Sequence, residues 1–268
     1  RREGFTVSIG SAELIAAFRM PPELAVAYLR SKGLKVSGNW REVWQAAHAR
    51  AFTVAQSAGY DVLGDIRDSL ETAMNEGQSY KQFIDSLEPT LRKKGWWGVK
   101  TDLSTGEIEL HKGMDRPVEL GTPRRLQLIY EQNIQTAFMA GRYRTMKEAV
   151  VTHPYWEYVA VMDERTRPEH ARLNGMLFRH DDPIWSVIYP PNGFRCRCRV
   201  RPASIASVER RGLTVHSSDG YITEYQYQRR DGSVVPVKQI QLPNMDKPFR
   251  PDVGFDYNPA EEYYRGAA

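Results

Sequence analysis

The sequence predicts an α+β protein in which an N-terminal helical unit is followed by a small mixed sheet packed on a long helix. Three observations carry this expectation. Apolar residues recur at three- and four-residue steps between positions 21 and 94, as amphipathic helices require. Thr122-Pro123 caps the longest helix, which runs to about Val150. Between 155 and 201, two short stretches alternate with the period of two that marks strands.

Taken in order, Pro21-Pro22-Glu23 opens a helix to Ser31, with Gly33 as its stop. Trp40, Val43, Trp44, Ala47, Ala51, Val54 and Ala55 form the stripe of a second helix ending near Gly59. Asp61 to Glu76 repeats the pattern through Leu63, Ile66, Leu70 and Met74, with Gly77 as terminator. Ser79 to Lys94 follows with Tyr80, Phe83, Ile84, Leu87 and Leu91, and Pro89 is a point for a kink. Four helices with short connections make a helical unit of residues 1–95, its aromatic positions read as core.

An α+β unit of residues 96–205 comes next. Gly95-Trp96-Trp97-Gly98 breaks the helical run, and alternation from Glu107 to His111 after a Ser104-Thr105-Gly106 turn predicts a hairpin. Asn133, Ala137 and Gly141 give the long helix a strip of small residues for close packing. Tyr155 to Val161 reads as a strand leading into Asp163. Asp163 or Thr166 then caps a short helix from Pro168 to Leu173, which Asn174-Gly175 stops. Tyr189-Pro190-Pro191-Asn192-Gly193-Phe194 cannot be helical and delivers the chain into a strand from Arg195 to Arg201. Arg195, Arg197, Arg199 and Arg201 lie on one face of that strand, and Cys196, Cys198 and Val200 on the other. Pairing of the two strands would bring Asp163 and His170 near Cys196 and Cys198. Residues 206–268 read as a hairpin and an extended C-terminal arm. Tyr221 to Tyr227 and Ser233 to Leu242 flank Asp231-Gly232, Pro236 puts the second at an edge, and the arm begins at Pro243.

Composition bounds the function. The 268 residues are 41% hydrophobic and 26% charged, with a formal net charge of +4. The pI of about 9.0 is a mild basic excess, short of a DNA-binding composition. Local basic clusters, the four strand arginines among them, stand as solvated surface or as a contact for DNA or an acidic protein face. No run reaches the roughly 18 apolar residues of a membrane span, so no membrane partner is expected. The chain opens on Arg1-Arg2-Glu3 with no apolar signal core, which reads as synthesis in the cytoplasm.

Both cysteines fall in one Cys-x-Cys pair. On a strand their Cα atoms would lie roughly 6.5 to 7 Å apart, at or beyond the bridging limit, so a reduced pair is expected. Two readings of the pair stand. Cys196, Cys198 and His170 supply three of the four ligands of a zinc ion, with Asp163 or His180 as the fourth. In the other reading there is no cofactor, and the thiols are buried beside a hydrogen-bonded histidine. A thiol nucleophile activated by His170 and oriented by Asp163 is a lesser alternative, because no oxyanion-hole loop is recognisable. Asp181-Asp182 before Pro183 read as turn or cap residues, and no phosphate-cradling glycine loop is present.

The richest stretch, Asp163 to Pro202, carries a family resemblance. Asp163, Arg165, Thr166, His170, Leu173, Gly175, Trp185, Pro190, Pro191, Cys196, Arg197 and Cys198, at their spacings, resemble the signature of phage Mu F-type head morphogenesis proteins, also called minor head proteins. The likeness extends upstream through Arg125, Asn133, Ala137 and Gly141. The sequence departs from the family where Arg167 replaces a Cys and where Asn192-Gly193-Phe194 replaces a segment often holding a His. The resemblance implies a non-enzymatic minor component of tailed-phage heads, associated with the portal and other head proteins during procapsid assembly. It implies a place in the virion, in the head interior or at the portal, after assembly in the host cytoplasm, with packaged DNA as a further contact. The rival readings are a zinc-supported nucleic-acid-binding protein and a toxin-related thiol or metal enzyme.

Overall fold

A computed structural model describes residues 22–38, 43, 46–56, 59–102, 104–111, 115–229 and 232–265. The expectations that rest on Pro21, Trp40, Trp44 and Asp231 lie outside the described residues. The chain gathers into two compact units, one comprising residues up to 43 with 51–138 and the other 44–50 with 139–268. The division falls inside the long helix, whereas the sequence reading drew its boundary at residue 95. The reason is burial. Trp96 is fully buried, with its indole N–H donating to Gln56 O at 2.7 Å. Tyr130 of the long helix is equally buried and donates to Gln78 O at 2.6 Å.

In the first unit, α1 (Pro22–Ser31) leads into β1 (Gly33–Leu34). Among the described residues the expected second helix is α2 (Ala46–Arg50), a segment of the second unit, after which the chain extends as β2 (Ala51–Phe52). Strands β1 and β2 pair in parallel, Gly33 with Ala51 and Leu34 with Phe52. Phe52, Thr53 and Val54 are aromatic or β-branched, and the gain from pairing overrides the helical stripe read through Ala55.

Helices α3 (Tyr60–Glu76) and α4 (Tyr80–Lys93) match expectation, burying Leu63, Ile66, Leu70 and Met74 from the first and Phe83, Leu87 and Leu91 from the second. A capping box starts α4: Ser79 N donates to Gln82 Oε1 at 2.8 Å, and Gln82 N to Ser79 Oγ at 3.4 Å. The predicted hairpin is present and gains a third stretch. Glu109 N donates to Lys100 O at 2.9 Å, and Val118 N to Glu109 O at 2.8 Å.

Helix α5 (Pro123–Glu148) begins in the first unit and ends in the second. There its last turns cover a four-stranded mixed sheet of order β5-β3-β4-β6. Its strands are β3 (Tyr155–Val159), β4 (Leu177–Arg179), β5 (Arg199–Ala203) and β6 (Val215–His216). Strand β3 pairs antiparallel with β5, placing Tyr158 opposite Val200, and with β4, placing Glu157 opposite Leu177. Strands β4 and β6 run parallel. Tyr143 of α5 meets Trp156 edge-on at 5.5 Å, and Arg142 Nε donates to Val200 O at 2.6 Å. Trp156, Trp185, Phe178 and Tyr189 fill the space behind the sheet.

Two short helices, α6 (Pro168–Arg172) and α7 (Trp185–Ile188), flank β4, and α8 (Ile205–Arg211) follows β5. The C-terminal hairpin forms as β7 (Ile222–Gln228) and β8 (Val234–Ile240). The arm after Pro243, expected to be extended, instead folds back. Phe249 pairs with Ile240, Asp252 N donates to Asn192 O at 2.9 Å, and α9 (Pro259–Arg265) closes the chain. Asn258 caps that helix, its Oδ1 accepting from Ala260 N at 3.0 Å, and Pro259 starts it. Helix α9 packs on α2. Among the described residues no helix is long and apolar enough to cross a membrane.

Candidate functional site

The site is built where β3 ends, where α6 begins and where the chain enters β5. After Val159 the chain turns at Asp163 to Thr166. Asp163 Oδ1 accepts from Arg165 N at 3.1 Å and lies 3.2 Å from Thr166 Oγ1, whose hydroxyl donates to Val161 O. Asp163 and Thr166 thus close the turn and do not cap α6 as expected. The residue at the N-cap of α6 is Arg167, with no side-chain cap. An Asx-type turn takes the carboxylate because its nearest backbone N–H lies two residues on.

The entry to β5 also differs from expectation. Strand pairing begins at Arg199, so Cys196 and Cys198 precede the strand. Arg195 takes φ 60°, which breaks an extended run, and Cys196 N donates back to Gly193 O at 3.2 Å. The inward and outward alternation survives: Cys196, Cys198 and Val200 are buried, and Arg195 and Arg201 are exposed. A Cβ at Gly193 would lie 2.2 Å from Asp252 Oδ2, so any side chain there would have to displace the Asp252 carboxylate. Pro190 and Pro191, joined by a cis peptide, place this segment, and Tyr189 anchors it through a 2.9 Å bond to Met139 O.

These elements bring His170, Cys196 and Cys198 together, all three buried. His170 Nδ1 lies 3.7 Å from Cys196 Sγ and 3.6 Å from Cys198 Sγ. The ring stands edge-on to Phe249 at 5.7 Å. Burial pushes the Cys196 thiol well above its ordinary range. Cys198 is held lower, first by a hydrogen bond from Cys196, then by one from the Tyr158 hydroxyl and by the charges of Arg197 and Arg167. Neither proposed fourth ligand joins the group. Asp163 is gripped by Arg197, and His180 lies against Trp156 at 6.2 Å. Among the described residues, the cluster able to hold a cation is His170, Cys196 and Cys198.

The remaining motif residues tie this centre to the fold. Gly175, at φ 83°, turns the chain out of α6, and its N–H donates to Tyr158 O at 2.8 Å. Trp185 is buried, with Nε1 donating to Arg179 O at 2.7 Å. Asp182 caps locally, accepting from Ile184 N at 2.9 Å, and also takes Ser218 N at 3.1 Å.

The four arginines do not form one free strand face. Arg197 binds Asp163, and Arg201 binds Glu157, its partner across the β3–β5 pairing, at 2.8 Å. Arg211 of α8 binds the same Glu157, also at 2.8 Å. Sequence reasoning missed Glu157, Tyr158, Arg167, Arg211 and Asp252. The aromatic alternation of β3 already pointed Tyr158 inward. Arg167 pairs with Asp252 at 3.0 Å across 85 residues, and no local pattern announces such a contact.

Residues 64–201 match the family described as phage Mu protein F like protein. The chain is 43% identical over 251 residues to the putative capsid assembly protein F of Escherichia phage Mu, covering 92% of this chain and 56% of that protein. It is 45% identical over 187 residues to the Mu-like prophage FluMu F protein of Haemophilus influenzae, covering 70% of this chain and 43% of that protein. An uncharacterized protein of Methanocaldococcus jannaschii is 27% identical over 122 residues, which is 46% of this chain and 17% of that one. The chain therefore spans about half the length of the phage Mu and Haemophilus relatives. No solved structure matches it. With over half of its 268 residues inside the family match, and with the Asp163-to-Cys198 motif folded into one bonded cluster, the chain belongs to the phage Mu protein F like family.

Proposed function

We propose that this chain is a minor head protein, a non-enzymatic component of tailed-phage head assembly that associates with the portal and docks other head proteins. The observation that carries this reading is the 43% identity, along 92% of the chain, to a protein named for capsid assembly. The site's chemistry supports the non-enzymatic part. Its carboxylates are held by arginines, Asp163 by Arg197 and Glu157 by Arg201 and Arg211. Its thiols are buried, which is the environment of inert cysteines. An internally satisfied polar cluster of this kind specifies a fold, leaving the surfaces for docking. Its place is the head interior or the portal, reached during assembly in the host cytoplasm.

Contact with packaged DNA is not part of this reading, because Arg197 and Arg201 direct their charge at partners within the fold. The test is co-expression of the tagged full chain with the portal and major head proteins of the phage that encodes it. Recovery of the portal protein with the tag, retained in Cys196→Ser, supports docking without thiol chemistry. Recovery of no head protein would overturn the reading.

A further inference from the structure

The His170 centre has the donor geometry of a cation site. Two thiols approach one nitrogen, Nδ1, at 3.6 and 3.7 Å. In the neutral ring that nitrogen has either one lone pair or one hydrogen, so it forms one good bond with one of the sulfurs. A tetrahedral cation requires this arrangement. Zinc binds sulfur at about 2.3 Å and imidazole nitrogen at about 2.0–2.1 Å, which sets each S···N separation near 3.6 Å. Both observed distances fall there, and the three donor atoms lie within 4.8 Å of one another.

We propose that His170 Nδ1, Cys196 Sγ and Cys198 Sγ bind one zinc ion. Two sulfurs and an imidazole nitrogen favour a borderline-soft d10 cation over magnesium or calcium, which take oxygen donors. Two thiolates cancel the charge of the dication, so the buried centre carries no net charge. The surroundings fit this role. The Tyr158 hydroxyl stands between Cys198 and Asn192 Oδ1, 3.3 Å from the latter, and Phe249 packs edge-on against the His170 ring. The ion joins α6 to the segment that enters β5, and beneath the folded-back arm its task is structural. This inference is independent of the head-assembly reading, since a docking protein and an enzyme could each carry such a centre.

The test uses the full chain. Metal analysis by mass spectrometry is expected to find about one zinc per chain, with both thiols slow to react until a strong chelator is added. Replacing zinc with cobalt is expected to give the visible absorption of a tetrahedral thiolate complex. His170→Ala and Cys198→Ser are expected to lose the metal, while His153→Ala keeps it. Because the first two variants can fail to fold, the chelator-stripped wild-type chain is also titrated with zinc. Stoichiometric uptake with a rise in Tm, or refolding on zinc addition, supports the site. A stripped chain that stays folded, takes up neither zinc nor cobalt and shows unchanged thiol reactivity would overturn it.

Discussion

Arg197 holds both carboxylate oxygens of Asp163, Nη1 to Oδ2 at 2.7 Å and Nη2 to Oδ1 at 2.5 Å, across a separation of 34 residues. This two-pronged bond joins the turn after β3 to the segment before β5, so the first and last parts of the motif close on each other. It holds the Asp163 carboxyl well below the usual carboxylate range, chiefly through the hydrogen bonds from Arg197. A depressed folded pKa means the stabilisation is present above the unfolded value of about 3.9 and is lost as pH falls below it. Asp163→Asn is expected to lower Tm at pH 7 and to flatten the loss of Tm between pH 5 and 3. Thermal melts across that range check this. Parallel losses in the two proteins would contradict it.

Glu157 is a second closure. Its side chain is 5% exposed, and two arginines from different elements share it. The arginine bonds outweigh burial, which by itself would raise its pKa, and hold the carboxyl below its ordinary value. Glu157→Gln leaves both guanidiniums without a charged partner and is expected to cost about 1–3 kcal/mol, discounted because the arginines reach solvent. Urea unfolding at pH 7 measures it. Arg211→Ala is expected to cost less, since Arg201 stays in place.

Lys32 in the first unit is buried above the Tyr28 ring at 4.7 Å, and burial brings its pKa down to about 7. The unfolded lysine titrates near 10.4, so between about pH 7 and 10 the unfolded state binds more protons and stability rises with pH. Lys32→Met is expected to stabilise the chain at pH 7 by on the order of a few kcal/mol, with the gain fading towards about pH 10. Denaturant midpoints at the two pH values decide it, and an equal gain at both would count against the burial argument.

Nucleic-acid binding is expected to be weak. Four phosphate-bound arginines would give a salt slope of about −3.6. With Arg197 and Arg201 engaged, a slope no steeper than about −1.8 is expected in a titration with duplex DNA at two or more salt concentrations. Loss of binding on Arg199→Ala with a slope near −4 would restore the four-arginine face.

The fold was legible where local signals suffice. Leu63, Ile66 and Leu70 announce α3 by spacing alone, as Phe83, Leu87 and Leu91 announce α4. The meeting of His170 with Cys196 and Cys198, and the approach of Asp163 to Arg197 between the two cysteines, followed from pairing two alternating stretches. Three features escaped for physical reasons. At 51–54, strand pairing with β1 outweighed a helical stripe. At Arg195, a single left-handed residue cut the predicted strand short, and no side chain advertises it. In the arm, order comes from contacts distant in sequence, Asp252 with Arg167 and Phe249 with His170, in a stretch that has no periodicity of its own. The Asn258-Pro259 helix start was readable there and marks α9.

The central claim, that this chain is a built-in part of the phage head, is tested most directly by quantitative mass spectrometry of procapsids purified from cells carrying the phage genes, with and without this gene. The account predicts the chain in the procapsid fraction at few copies per particle, and defective or non-infectious heads in its absence. Normal, infectious heads assembled without it, together with its absence from particles when it is expressed, would contradict the account.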